Sequence, residues 1–491
     1  MSRQTWLDLP SQRDLVDGVQ RDVENSGKWL TDPNTGERTH QSAQSATDVV
    51  DDALDVADRL HRSGEWGTAP LENRLALLEA FATSLAARTD SIAFADAMDS
   101  GVPLSITTMF AAALPDVVRG AVELARSMPW DRELRTGAQR VHLLTLPWGP
   151  AAIIAPFNAP AFTVVKKSAY ALAAGCPVIV KPSSQAPHSA NLIVDAFVEA
   201  IEKCGAPRSV FQLVHGDARV GQQLASSSRV RALAFTGGRN AGRAIARAAS
   251  DHFPALQLEC GSNNPVIVRD DADLDATADS LASGFTKLNG QWCESPGTVF
   301  VAATLHDELL EKLLERLGSL VVGSSLDPAA NFGPQANIAQ RNTIVSAIER
   351  LERGGGKQHS PQLDFPPVGY FLPPIVITGV DPTDTVEELF GPVLVLHPVV
   401  DDDQALVLAN SRSGGLAGYV FSSDLPAATA LAGRITAGEV KINGTSVLDM
   451  HADSAQSFWE GSGVGGHGNL DLLRFFTGSR IVGVDPPGMP L

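Results

Sequence analysis

In the stretch AAIIAPFNAPAFTVVKKSAYALAAGCPVIVKP (Ala151–Pro182), two short apolar runs, AAIIAP and PVIVKP, flank a helical pattern through KKSAYALAAG. Apolar runs too short for buried helices and bounded by Pro and Gly read as strands, so the unit is strand, helix, strand. The alternation continues outward. A helix through SANLIVDAFVEAIEKCG, a strand at SVFQLVHG, a helix, a strand at VRALAFTG, another helix and a strand at ALQLECG follow in order. Such repetition predicts a parallel sheet with helices on its faces. A second series begins at NPVIV and runs through a helix around LDATADSLASGFTKL, a strand at GTVFVAA, a helix through HDELLEKLLERL, then FLPPIVITGV, PVLVLHPVV, LAGYVFSSD and GEVKING. That is a second α/β unit. Upstream, Asp48 to Ala97 carries apolar residues at three- and four-residue steps, which predicts amphipathic helices. GGGKQHSPQLDFPPVG (354–369) reads as a surface loop.

The bulk numbers agree with a packed chain of more than one core. It has 491 residues, 44% hydrophobic and 19% charged, a balance that excludes disorder. A net charge of -18 repels nucleic-acid phosphates and anionic lipid, so neither is an expected partner. The N-terminal MSRQTWLDLPSQ lacks the basic start and apolar run of a secretory signal, and the apolar Ala151–Val165 stretch is broken by prolines and an asparagine. We therefore expect a cytoplasmic protein. Four cysteines without CxxC or His-cluster spacing support neither a disulfide framework nor a metal site.

Several polar residues fall at strand ends, where open α/β sheets bind ligands. FTGGRNAG (Phe235–Gly242) joins a strand to a helix, and its glycines allow an anion to approach the helix N-terminus; a glycine-rich turn without a ligand fits the same residues. Lys181 ends the PVIVK strand and suits a ribose or phosphate as well as it suits solvent. Glu259 follows LQL at a Gly turn, where partial desolvation would raise its pKa toward that of a general base. Cys293 sits in the polar segment LNGQWCESPG (288–297), an odd place for a buried filler thiol, although a free cysteine often is one. Cys260, beside Glu259, is a rival nucleophile, and Cys176 in LAAGCPVIV reads as core.

Taken in order, PFN (156–158), VKPSSQAP (180–187), FTG with a further Gly five residues on, LECGSNNPVIV (258–268), GQWC (290–293) and EELFGPV (387–393) resemble the aldehyde dehydrogenase superfamily from about residue 45 to 485. The resemblance implies a Rossmann-like domain over 1–128 and 148–259 that binds the nicotinamide cofactor. It further implies an α/β catalytic domain over 260–455 and a small oligomerisation sheet from 129–147 and 470–491. By that resemblance Cys293 is the nucleophile that forms a thiohemiacetal with an aldehyde. Asn158 stabilises the oxyanion and Glu259 activates the water that hydrolyses the thioester. Pro156, Phe157, Lys181, Ser183, Ser184, Phe235, Thr236, Gly237, Gly238, Gly261, Glu388 and Phe390 fall at cofactor-binding positions. Ser184 stands where many NAD-preferring members carry a Glu that would repel a 2′-phosphate, so NADP is expected to be accepted alongside NAD and preferred to it. Phe162, Lys166, Lys287, Trp292 and Glu294 fall along the aldehyde tunnel, and the two lysines suit an anionic aldehyde; two snorkelling surface lysines fit as well.

Some positions depart from the family pattern. Ser262-Asn263 replace Gly-Lys, Thr298 replaces an Arg, and SFWEGSGVGG (457–466) keeps only the later Ser-Gly of the usual loop. A CoA-acylating enzyme and a non-catalytic binding protein remain alternatives, the first disfavoured by Glu259 and the second by the Cys293, Asn158 and Glu259 set. A homodimer or homotetramer is expected, with no metal.

Overall fold

The computed structural model describes residues 6–136, 139–447, 450–451 and 453–485. Positions 1–5, 137–138, 448–449, 452 and 486–491 of the expected segments lie outside the described residues. Among those described, a first sheet has eight strands. Their spatial order is Val19–Asp22, Arg13–Val16, Phe211–Leu213, Val178–Lys181, Ala151–Ile154, Ala232–Gly237, Ala255–Cys260 and Gly463–Val464. The Ala151–Ile154, Val178–Lys181, Phe211–Leu213, Ala232–Gly237 and Ala255–Cys260 strands are mutually parallel. From Ala151–Ile154 the chain builds outward to one side and then returns to build on the other. The strand order therefore reverses between Ala151–Ile154 and Ala232–Gly237, and the crevice beyond those two strand ends is where doubly wound sheets bind ligands.

The local causes are visible in the central strands. AAII and VIVK are buried at every position because helices cover both faces, which is why they read as unbroken apolar runs. The helix between them, Pro160–Ala174, starts on a proline whose missing N–H costs nothing at a helix N-terminus. It stops at Gly175, which turns left-handed (φ 99°) and donates its N–H to Ala171 and Leu172 carbonyls. A side chain there would be strained and would also meet the Arg74 guanidinium. Each Val or Ile so enclosed contributes roughly 1.5–3 kcal/mol.

The second sheet has seven strands in the order Lys357–His359, Ile375–Thr378, Val393–Val399, Pro296–Ala302, Asn264–Val268, Ala417–Phe421 and Glu439–Ile442. The strand Lys357–His359 pairs antiparallel inside the stretch expected to be a loop. A third sheet joins Thr477–Gly483, Gln139–Pro147 and Asp131–Thr136. The sequence reading also missed the N-terminal strands, Arg13–Val16 and Val19–Asp22 at the edge of the first sheet and the Glu24–Thr31/Arg38–Gln44 pair, because short polar edge strands carry no alternation to read. The last strand of the first sheet matters most for the site. Gly463 and Val464 pair antiparallel with Glu259 and Leu258, which brings the C-terminal loop against the end of that strand. No helix among the described residues is long and apolar enough to cross a membrane.

Candidate active site

The crevice at the switch point is a cavity of about 580 Å³. Lys181 ends one strand, Pro156, Phe157 and Asn158 follow another, and Thr236, Gly237 and Glu259 end two more. All twelve residues read from the sequence as cofactor-binding line it, together with Asn158, Glu259 and Cys293. Gly238 starts the Arg239–Ala249 helix with no side-chain cap and open space where a Cβ would be, so its helix N-terminus can take a phosphate. Lys181 is buried, its ammonium donates to the Pro182 carbonyl, and burial lowers its pKa to about 8 against the pull of Asp217. Burial pushes the Glu388 carboxyl up to about 8, opposed by Arg239. Gly261 admits that carboxyl where any Cβ would collide with it. Phe157 and Phe390 meet edge to face at 5.9 Å. These features fit a dinucleotide.

Cys293 is half-buried and lines the crevice, just after a turn that the backbone strains to make. Leu288 (φ 50°), Asn289 (φ 58°) and Gly290 (φ 78°) are successive left-handed residues, a conformation that costs roughly 1–2 kcal/mol for Leu. Side-chain amides hold it. The Asn289 amide donates to the Gly101 and Pro334 carbonyls and accepts from Gly333 N–H, while Gln291 donates to the Ser100 carbonyl and accepts from Ala336 N–H. Both are fully buried. Asn158 spends one amide hydrogen on the Gln291 carbonyl at 2.9 Å, which ties its side chain to the same turn. Asn264 then donates to the Cys293 and Ser295 carbonyls.

The Cys293 sulfur lies 3.9 Å from Glu259 Oε1. The other carboxylate oxygen, Oε2, is held on three sides: by the Thr236 hydroxyl at 3.1 Å, the Lys167 ammonium at 3.7 Å and His467 Nδ1 at 4.0 Å. Lys167 also donates to Thr236 at 2.7 Å. The division of labour leaves Oε1 for chemistry. Burial alone would raise the Glu259 pKa, as expected from sequence, but His467, Lys167 and Thr236 outweigh it and hold the value at about 2. Burial raises the Cys293 thiol well above its ordinary value, and Glu259, Glu294 and Glu388 add to the rise. Cys260, the rival, points into the helix beside Gly242, and burial raises it to about 11.

On the far side of Cys293, Val102, Ile106, Phe110, Leu288 and Trp292 form an apolar wall against it. Phe110 packs on Phe162 at 6.0 Å, and the Lys166 ammonium sits 5.8 Å above the Phe162 ring. Two residues expected in the tunnel turn elsewhere. Lys287 donates to the Thr445 carbonyl while lying 4.9 Å over Trp292, and Glu294 is buried against the Gln456 amide. The family departures compensate one another: Thr298 donates to Asn263 Oδ1 at 3.1 Å, and Asn263 in turn donates to backbone carbonyls of 385–387, bracing the segment that carries Glu388. Sequence reasoning passed over Lys167 and His467. Lys167 gave a signal, since it falls on the buried face of its helix with Val164 and Ala171, where a lysine needs a partner.

A model of the aldehyde dehydrogenase family matches residues 23–482. Geranial dehydrogenase of Castellaniella defragrans is 32% identical over 85% of this chain and 90% of its own. A non-phosphorylating aspartate-semialdehyde dehydrogenase of Halomonas elongata is 31% identical over 85% and 86%. The crystal structure of betaine aldehyde dehydrogenase from Staphylococcus aureus in complex with NAD+ superposes with a TM-score of 0.91 at 26% identity, covering 99% of this chain and 97% of that one.

Proposed function

The chain belongs to the aldehyde dehydrogenase family and oxidises an aldehyde to a carboxylic acid with a nicotinamide dinucleotide; on that premise we propose that Cys293, Asn158 and Glu259 carry the reaction. The observation behind this assignment is the 3.9 Å approach of the Cys293 sulfur to Glu259 Oε1 where both line the crevice. The thiol gives its proton to solvent as the sulfur adds to the aldehyde carbon, which leaves Oε1 unprotonated for the later hydrolysis. The carbonyl oxygen becomes an alkoxide that accepts from the free Asn158 amide hydrogen and the Cys293 backbone N–H, and one such donor is typically worth about 3–4 kcal/mol in the transition state. Lys181, Gly237, Gly238, Glu388 and Phe390 would hold a nicotinamide dinucleotide, which would supply the hydride acceptor for this adduct. A water then attacks the thioester on Cys293 and gives its proton to Glu259. The carbon–sulfur bond breaks and the acid departs. A water-activating carboxylate at this distance favours hydrolysis over transfer to CoA.

NADP is the preferred cofactor in this reading. Ser184 lines the crevice near Lys181, with no carboxylate on its own side chain to repel a 2′-phosphate. Ser184→Glu restores that repulsion and is expected to move the kcat/KM ratio toward NAD by about tenfold or more, like charges about 4 Å apart costing roughly 1–4 kcal/mol. Steady-state rates with both cofactors check this; a wild type that strongly favours NAD removes the premise.

The aldehyde carries an anionic group, read by Lys166 beyond the Phe110–Phe162 wall. One relative is named for aspartate semialdehyde, whose carboxylate is such a group. Against an aldehyde panel, Lys166→Met is expected to lose roughly tenfold in kcat/KM on acidic aldehydes while neutral ones stay within a few-fold. Equal losses on both would exclude the role. We further assign the cofactor to 1–128 and 148–259 and catalysis to 260–455. Leu134, Ile481 and Val482 stay exposed on the three-stranded sheet, supporting 129–147 and 470–491 as the contact in a cytoplasmic homodimer or homotetramer.

A further inference from the structure

The two-residue strands Gln456–Ser457 and Gly466–His467 pair antiparallel, with Gln456 directly opposite His467. The Gln456 amide nitrogen donates to the Leu416 carbonyl at 2.7 Å and to Glu294 Oε1 at 3.3 Å. Its oxygen is thereby turned to His467 Nε2 and must accept from it. An amide oxygen cannot donate, so the imidazole keeps its proton on Nε2 in either charge state. The titrating atom is Nδ1, and Nδ1 faces Glu259 Oε2 at 4.0 Å. Oε1 of the same carboxylate faces the nucleophile.

We propose that His467 is the positioning residue that receives the proton Glu259 draws from the hydrolytic water, resetting the carboxylate in each turnover. The proposal rests on the assignment of Glu259 and Cys293 above. In the step, a water O–H bond breaks as its oxygen bonds to the thioester carbon, the proton passes to Glu259 Oε1, and rotation of the carboxyl about its Cγ–Cδ bond carries that proton to neutral His467 Nδ1. The carbon–sulfur electron pair returns to Cys293, and the imidazolium, whose side chain is 27% exposed, releases its proton to solvent.

Glu259 needs such a partner. The His467 imidazolium, Lys167 and Thr236 together hold the Glu259 carboxyl low, so the carboxylate does not itself titrate near neutrality. Lys167, also in contact with it, is an ammonium whose value burial lowers. The charged groups around His467 are Glu259 on its strand, Lys166 and Lys167 on the Pro160–Ala174 helix, and Glu294 on the nucleophile turn. On the helix that follows, Asp471 and Arg474 pair with each other. Phe458 closes an edge of the ring at 5.4 Å. Burial works downward on His467, but Glu259, with Glu294 beyond it, holds the value above the ordinary 6.5. An imidazolium cannot accept, so hydrolysis is slow below this value, rises as pH passes through it and levels off above.

The test uses p-nitrophenyl acetate to acetylate the enzyme. After removal of excess reagent, the acetyl group on the Cys293 peptide is followed by mass spectrometry as it decays from acidic to alkaline pH. The wild type should show the rise and plateau. His467→Gln should lose the rise and fall roughly tenfold or more at the plateau, with the rate of acetylation little changed. Gln456→Met keeps the imidazole but removes the acceptor on Nε2, and should move the rise to lower pH. Decay profiles that coincide in all three proteins overturn the proposal while leaving the nucleophile in place. Absence of acetyl from Cys293 in the wild type overturns the catalytic assignment and the proposal together.

Discussion

Cys293→Ala should abolish aldehyde oxidation, with kcat/KM falling on the order of 10⁴-fold or more, because no other group would replace a covalent nucleophile. Cys260→Ala should stay within a few-fold of wild type. The contrast is decisive because both thiols adjoin the Glu259 strand and differ in where they point: Cys293 lines the crevice, whereas Cys260 is packed against Gly242. Production of reduced nicotinamide from an aldehyde reads the result, and a Cys260 variant as inactive as the Cys293 variant would reverse the assignment. The pH dependence of thiol labelling gives a second reading. Since burial and then the neighbouring carboxylates raise the Cys293 thiol, its thiolate is a minor species at neutral pH and its alkylation by iodoacetamide should accelerate steadily with alkali. Cofactor-free labelling that is already fast and flat at neutral pH would show that the sulfur is ionised by a neighbour other than those described.

Much of this arrangement was legible in the sequence for a simple reason. Strands enclosed by helices on both sides, such as Val178–Lys181 and Asn264–Val268, must be apolar throughout, and the polar residues that end them stand out. Lys181 and Glu259 are conspicuous in that way, whereas Asn158 is marked only by the family resemblance. What could not be read depends on contacts between distant segments. His467 lies on a strand two residues long, and its pairing with Gln456 and its approach to Glu259 exist only once Gly463–Val464 joins the first sheet. The direction of the Glu259 shift was missed for the same cause: desolvation is inferable from one strand, while the cations that outweigh it come from a helix nearly a hundred residues earlier and a loop two hundred later. Of the adjacent lysines 166 and 167, the second is the buried one beside the base, a distinction set by helix phase. The left-handed Leu288-Asn289 pair leaves no trace in composition, although Asn289 and Gln291 provide the bonds that hold it.

Glu259→Gln should separate the two halves of the reaction. The amide preserves shape and can still accept from Thr236, but it cannot take a proton from water, so hydrolysis of the thioester should fall by roughly 10²–10⁴-fold. Formation of the thioester should survive. Removing the carboxylate takes away a charge that raises the Cys293 thiol, which then loses its proton to solvent more readily. The expected record is a burst of reduced nicotinamide approaching one per active site, followed by a slow steady state. A variant with no burst would place Glu259 before hydride transfer and not after it. The substitution also strands the Lys167 ammonium, 7% exposed, without its counter-charge, and breaking a buried pair in this way typically costs about 3–5 kcal/mol. Because the folded carboxylate lies near 2, below the ordinary 4.5, the wild-type contribution is complete above the unfolded value and is lost as pH falls through about 2. A melting-temperature gap between wild type and variant should therefore be present at pH 6–8 and close progressively as pH falls through about 4.5 toward 2. Loss of activity on mild acidification, which leaves Glu259 ionised, must then come from a group that titrates higher, and the His467 imidazole beside it is the candidate already proposed.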